Sequence, residues 1–304
     1  MPAEMTDTSM LFVGLGAMGR PMAGRLREAD LALMVADADA ELARRVATEI
    51  GATAVPTDGL AEAAAGVDRV VLMLPDSGVV EEVLLGSGGL LDALRPGSLV
   101  VDMSSCRPAS TVMLAARARE RDVAFVDAPV SGGVGRAATG ELSIMAGATD
   151  DDFAAVLPLL EQMGKDVTHV GPPGAGHAMK ALNNLLSAIG LVAASEVLSV
   201  GSAFGLDPRV MLQVLNGSTG RNHATEVKME RFVLSRAFDS GFSLRLMVKD
   251  LRTALDLAHE TGTPVPLGAG ALEECMAAFR MLGQGADHTE VAAYVERRSG
   301  TELH

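Results

Sequence analysis

Two residues in "GAGHAMKALNNLL" have the types and spacing to move a proton. Lys180 and Asn184 stand four positions apart, which puts their side chains on one face of a helix. An ammonium on so apolar a helix is costly unless it has a task, because burial disfavours the charged form. That same desolvation brings a lysine toward the range where it transfers protons near neutral pH. Spacing alone leaves two readings of Lys180 open: a catalytic group, or a surface lysine whose stem lies along the helix. His177, one turn earlier, is expected on the helix surface.

A second group could hold a phosphate. In "LFVGLGAMGRPMAGRL", Leu11 to Leu26, Gly14, Gly16 and Gly19 follow an apolar run and open a helical pattern. Glycines at this spacing also mark turns that bind nothing. Here the context is strand, turn, helix, then a second strand ending at Asp37. In that context Gly14 makes the turn, Gly16 lets the backbone approach a pyrophosphate, and Gly19 lets the helix pack on the sheet. Leu15, Ala17 and Met18 complete the loop, and the helix N-terminus favours the anion. Asp37 is placed to accept from an adenosine ribose, and its charge would repel a 2′-phosphate; Ala38 stands where an arginine would favour that phosphate. Arg44 and Arg45 are expected to face solvent. NAD is therefore expected over NADP. The alternative for Asp37 is a cap on the following helix.

These groups need a scaffold. From Met10 to about Val170, apolar runs such as "LFVG", "LALMVAD", "DRVVLML", "GSLVVDM" and "VAFVDAP" alternate with helical patterns. Continuous apolar strands divided by helices imply a parallel sheet covered on both faces, that is, an α/β Rossmann doubly wound domain over residues 9–170. After "GPPGAG" strand signals stop, and residues 171–304 read as an all-helical C-terminal domain joined to the first by a long interdomain helix. Helices are expected from Pro208 to Gly217, at Glu226 to Ser235, Leu244 to Glu260, Ala269 to Leu282 and Thr289 to Arg297.

Composition narrows the possibilities. The chain has 304 residues, 48% of them hydrophobic, enough for a substantial core. A net charge of −14 offers no basic footprint for nucleic acid. Cys106 and Cys275 belong to no CxxC pair, so neither a disulfide framework nor a zinc site is indicated, and no HExxH-type spacing suggests another metal. Reduced thiols fit the cytoplasm. The acidic "MPAEMTDTSM" does not resemble a signal peptide, and residues 1–8 read as a loose tail. Only eleven residues separate Asn184 from Glu196 in the most apolar segment, against roughly 20 for a membrane span. The apolar excess in "LVAASEVLSVGSAFG" and "LGAGALEECMAAFRML" is expected to be covered in a homodimer or homotetramer.

The order of motifs resembles the β-hydroxyacid dehydrogenase family, which includes 3-hydroxyisobutyrate dehydrogenase and tartronate semialdehyde reductase. The similarity runs along the whole chain, through "MLPD", "VDMSS", "DAPVSGGVGRAATGELSIMAGA", "GAGHAMKALNN" and "FSLRLMVKDLRTAL". It implies NAD-dependent interconversion of a small 3-hydroxy acid and its semialdehyde in a cleft between the Rossmann domain and a 6-phosphogluconate dehydrogenase-like helical domain. Lys180 would be the general acid and base, with Asn184 holding the substrate oxygen or orienting Lys180. Asn183 would help helix packing or touch substrate. Ser131, Gly132 and Gly133 would offer a hydroxyl and backbone N–H groups to the substrate carboxylate.

On the cofactor side the resemblance implies roles for Leu74 and Pro75 beside the ribose and phosphates, Ser105 near the nicotinamide, and Lys249 toward cofactor or substrate. Lys249 could instead pair with Asp250, which is expected to fix local structure. Arg136 stands two residues before the family's usual basic position and could face a strongly anionic substrate or solvent, while Arg221 resembles an arginine of the hydroxyisobutyrate type whose role the sequence leaves open. Reduction of tartronate semialdehyde, succinate semialdehyde or sulfolactaldehyde is an alternative. An imine reductase is another, though Lys180 argues against it. A non-catalytic NAD-sensing protein would be a different class.

Overall fold

A computed structural model describes residues 9–29 and 31–303. The expected loose tail at residues 1–8 lies outside the described residues. Among the described residues nine strands form one sheet: β1 (Met10–Val13), β2 (Leu33–Ala36), β3 (Thr53–Ala54), β4 (Arg69–Leu72), β5 (Leu99–Asp102), β6 (Ala124–Asp127), β7 (Val130–Ser131), β8 (Leu142–Gly147) and β9 (Gly164–Gly171). Helices α1 (Gly19–Glu28), α2 (Ala40–Ile50), α3 (Leu60–Ala65), α4 (Ser77–Leu85), α5 (Leu90–Ala93), α6 (Pro108–Arg119), α7 (Gly133–Thr139) and α8 (Asp150–Leu160) lie between them. The long α9 (Ala175–Phe204) follows, then α10 (Pro208–Asn216), a π-helical segment (Ala224–Leu234), α11 (Leu244–Glu260), α12 (Pro266–Leu282) and α13 (Val291–Ser299).

The sheet order is β3-β2-β1-β4-β5-β6-β8-β7, with β9 beside β8. Strands β1 to β6 are parallel; β8 is antiparallel to β6 and β7, and β9 is parallel to β8, so both run against the rest of the sheet. Side chains alternate between the two faces. Phe12, Val35, Val71, Val101 and Val126 form one register row and enter one core; Leu11, Val70, Val100 and Phe125 form the next row and enter the core on the other face. That double burial explains the unbroken apolar runs. The chain reverses its winding direction between β1 and β4, which makes their C-terminal ends the expected ligand crevice.

The described residues divide into two compact units, the first ending at Lys180 and the second beginning at Ala181, within α9. The second has its own core, in which Leu191, Leu198, Leu251, Cys275 and Val291 are buried. Local signals explain its helix boundaries. Asp207 accepts from the N–H groups of Arg209 and Val210 with Pro208 in the first turn, while Ser243 caps α11.

Three sequence expectations change. The two-residue strands β3 and β7, the half-buried β8 and the largely accessible β9 lack a continuous apolar run and add to the strands the sequence signals. The helix expected at Glu226–Ser235 is wound as a π-helix from Ala224. The apolar run flanked by Asn184 and Glu196 belongs to a 30-residue helix, long and apolar enough by length and composition to cross a membrane. Half of that stretch is nevertheless buried within the structure.

Candidate active site

The glycine loop separates what the protein needs from what it leaves open. Gly14 has φ +100°, and a Cβ there would lie 2.3 Å from the Met73 carbonyl oxygen. A Cβ on Gly19 would lie 1.9 Å from the Gly14 oxygen. The chain's own backbone therefore dictates both glycines. Gly16 is exposed, and among the described residues nothing lies within 4 Å of its Cβ position. The main chain is open to approach there, and with the helix that follows the loop fits a dinucleotide pyrophosphate. Ala17 is exposed and Met18 half-buried, and no side chain caps the N-terminus of α1. A groove of about 1010 Å3 begins at Leu15, Gly16 and Ala17 and continues past Arg20, Pro21 and Val134.

Asp37 follows β2 and is tied to this loop. Its Oδ2 accepts the Leu15 N–H at 2.7 Å and its Oδ1 the Asp39 N–H at 2.9 Å. The cap of α2 is Asp39, which receives the N–H groups of Glu41 and Leu42, so helix capping does not account for Asp37. Arg44 and Arg45 are exposed, and Arg44 pairs with Glu41.

Across the winding reversal, Leu74 donates its N–H to Ser104 Oγ at 2.9 Å, and Pro75 is exposed. Ser104 in turn donates its N–H to Asp102 Oδ1 at 3.0 Å. This lashes the turn after β4 to the turn after β5, where half-buried Ser105 follows. Sequence reasoning picked Ser105 and passed over buried Ser104, since the dipeptide does not show which hydroxyl faces inward.

The substrate-loop candidates lie at the start of α7. Ser131 ends β7 and is half-buried; Gly132 (φ +134°) and Gly133 (φ +71°) are exposed. A Cβ on Gly132 would meet the Arg136 stem at 2.8 Å, whereas Gly133 faces open space among the described residues. Arg136 itself is exposed, and Arg221 is exposed beside Glu226 at 3.5 Å.

Lys180 is half-buried on α9. One turn on, Asn184 Nδ2 donates to Asp250 Oδ2 at 2.6 Å, and Asn183 Nδ2 donates to Asn184 Oδ1 at 3.1 Å. Lys249 Nζ lies 3.2 Å from Asp250 Oδ1. The ion pair weighed for Lys249 is thus formed, and Asp250, 2% exposed, joins α11 to the asparagine. The contact joins residues 66 apart, which no local spacing signals.

His177 corrects the sequence reading, for it is 1% exposed. Its Nδ1 meets Thr111 Oγ1 at 2.7 Å and its Nε2 the Ser104 carbonyl oxygen at 3.1 Å. Asp127, at the end of β6, accepts the N–H groups of Gly174 and His177 at 2.7 and 2.8 Å. Burial pushes the Asp127 carboxyl above its ordinary range, against the pull of His177 and those two N–H groups. Asp102, Cys106 and His177 bring a potential metal-ligand atom each to within 4.8 Å of one another. The Ser104 carbonyl can only accept, which favours the tautomer carrying its proton on His177 Nε2.

Comparison with known proteins places this geometry. Residues 9–171 match the model of the NAD-binding domain of 6-phosphogluconate dehydrogenase, and residues 174–295 that of the NAD-binding domain of NADP-dependent 3-hydroxyisobutyrate dehydrogenase. The 2-(hydroxymethyl)glutarate dehydrogenase of Eubacterium barkeri is 38% identical over 293 residues, 96% of each chain. The NAD-dependent L-serine dehydrogenase of Pseudomonas aeruginosa is 38% identical, covering 86% of this chain and 89% of that one. Among solved structures, the Mycobacterium tuberculosis 3-hydroxyisobutyrate dehydrogenase with L-serine aligns with a TM-score of 0.86 at 31% identity, covering 95% of this chain and 99% of that one.

Proposed function

Because the chain belongs to the β-hydroxyacid dehydrogenase family, we propose that it interconverts a small 3-hydroxy acid of the 3-hydroxyisobutyrate type and its semialdehyde, using NAD. It is a nicotinamide-dependent dehydrogenase acting on a CH–OH group. When bound, the nicotinamide supplies the hydride acceptor or donor.

Lys180 takes the substrate hydroxyl proton during oxidation and returns it to the carbonyl oxygen during reduction. Asn184 holds that oxygen, its amide orientation set by Asp250 and Asn183. Ser131 and the main-chain N–H groups of Gly132 and Gly133 receive the substrate carboxylate, and Asn183, beside Asn184, helps helix packing or touches substrate. In the loop of Gly14, Leu15, Gly16, Ala17, Met18 and Gly19, the main chain from Gly16 onward receives the pyrophosphate while Gly14 shapes the turn and Gly19 the helix packing; Asp37 holds the adenosine ribose, and Leu74, Pro75, Ser105 and Lys249 the rest of the dinucleotide. Residues 9–170 act as the NAD-binding domain and residues 171–304 as the substrate and oligomerisation domain.

Gly16 carries the cofactor reading, since the protein's own packing does not require a glycine there. NAD is favoured over NADP by the carboxylate of Asp37 followed by Ala38. A homo-oligomer is favoured by exposed apolar residues on α9. At 100° per residue, Leu182, Leu186, Val197, Val200 and Phe204 fall within about 60° of one another. A second copy of the chain would cover that stripe. Two buried thiols without a disulfide suit a reducing cytoplasm.

The test is NADH formation with 3-hydroxyisobutyrate, L-serine and 2-(hydroxymethyl)glutarate, and NADH consumption with tartronate, succinate and sulfolactaldehyde-type semialdehydes. Turnover fastest with 3-hydroxyisobutyrate supports the reading. Turnover of none of them contradicts it.

A further inference from the structure

We propose that His177 is the positioning residue for Lys180, clamping the first turn of α9 onto the turns that follow β4, β5 and β6. This rests on the reading of Lys180 as the proton-transfer group. His177 is held from three directions. Its main-chain N–H is gripped by Asp127 at the end of β6, its Nε2–H by the Ser104 carbonyl beyond β5, and its Nδ1 by Thr111 on α6. Ser104 also receives the Leu74 N–H from the turn beyond β4. Leu74, Ser104 and His177 therefore form one hydrogen-bonded run across the ends of adjacent strands. Lys180 follows three residues later, about 4.5 Å further along the same helix.

The clamp is built without slack. A Cβ on Gly176 would lie 2.3 Å from the Met145 carbonyl oxygen and 2.8 Å from Asp127 Oδ2. A Cβ on Gly147 would lie 2.4 Å from Asp127 Oδ1. Both glycines let the main chain close around the Asp127 carboxylate. Burying so many polar groups is expensive unless they are paired: both ring nitrogens and the main-chain N–H of His177 are bonded, while Asp102 Oδ2, 3.9 Å from Nε2, has no hydrogen-bond partner among the described residues. A proton donor needs a fixed geometry, because a displacement near 1 Å costs on the order of 100-fold in rate.

A merely structural histidine would alter stability alone, whereas a positioning residue acts through Lys180. The full-length chain is compared with His177→Leu, His177→Gln, Thr111→Val, Lys180→Ala and the double variant His177→Leu/Lys180→Ala. We expect His177→Leu to lower kcat about 10- to 100-fold with NADH affinity within about twofold. His177→Gln, which keeps a donor for the Ser104 carbonyl, should recover most of the loss. The double variant should be no slower than Lys180→Ala, because the histidine has nothing left to position. Wild-type kcat in folded His177→Leu, equal loss in the Gln and Leu variants, or multiplying losses in the double variant would each overturn the proposal. Should His177→Leu fail to fold, Thr111→Val decides: a lowered kcat supports the clamp and an unchanged kcat overturns it. Undiminished turnover in Lys180→Ala would sink the proton-transfer reading, an outcome that stands apart from the others.

Discussion

The Asn184 side-chain amide donates to the Asp250 carboxylate at 2.6 Å, which fixes its orientation and leaves its oxygen toward the Asn183 amide. Asp250 thereby acts on the proposed substrate oxygen through Asn184. Asp250→Ala should lower kcat/KM by about 10- to 100-fold, the equivalent of the ~1.5–3 kcal/mol carried by a hydrogen bond to a charged group. Steady-state kinetics on the folded variant would check this, and an unchanged kcat/KM would remove Asp250 from the site.

The glycine loop predicts a split between binding and stability. Gly16→Ala should fold with a melting temperature near that of the wild type and lose dinucleotide affinity. Gly19→Ala drives a Cβ to 1.9 Å from the Gly14 oxygen and should lose more than the ~1–3 kcal/mol of ordinary overpacking. Thermal melts with and without NADH separate the two effects. Equal destabilisation by both variants would contradict the distinction.

Much of this was legible in the sequence, and the reasons differ by element. Strands β1, β2, β4, β5 and β6 announced themselves because both their faces are buried. The two residues of β3 and the mostly accessible β9 carry no such pattern. Glycine spacing located the loop, but only the surroundings of each Cβ show which glycine serves a ligand. The burial of His177 and the Asn184–Asp250 bond were not legible because they depend on partners 66 to 73 residues away. Nothing local in "GHAMK" distinguishes a surface histidine from one gripped by Ser104 and Thr111.

Cys275 is fully buried with its Sγ 3.8 Å from Met247 Sδ. Burial, reinforced by the Glu274 charge, pushes its thiol up to about 12, against the opposing pull of Lys228. In a Cys106→Ser background, the native protein should therefore release no chromophore from a disulfide reagent at pH 8. It should release one equivalent in denaturant. Rapid native labelling would contradict this burial.

Acid sensitivity should concentrate at Asp287. Burial alone would raise its carboxyl, yet hydrogen bonds from His288, Thr289 and Ser240 hold it well below the usual carboxylate range. The folded state then binds fewer protons here than the unfolded chain. The stabilisation is present above about pH 4 and is lost as pH falls below it. Melting temperatures should drop over that window, and Asp287→Asn should be less stable at neutral pH with a flatter acid limb. An acid limb as steep as that of the wild type would contradict the assignment.

Proton transfer by Lys180 is tested most directly by NADH formation from 3-hydroxyisobutyrate with wild type and Lys180→Ala, both at saturating NAD and with dinucleotide affinity measured separately. We predict a fall in kcat of more than about 100-fold with NADH affinity unchanged within about twofold. Turnover by Lys180→Ala at the wild-type rate would contradict it.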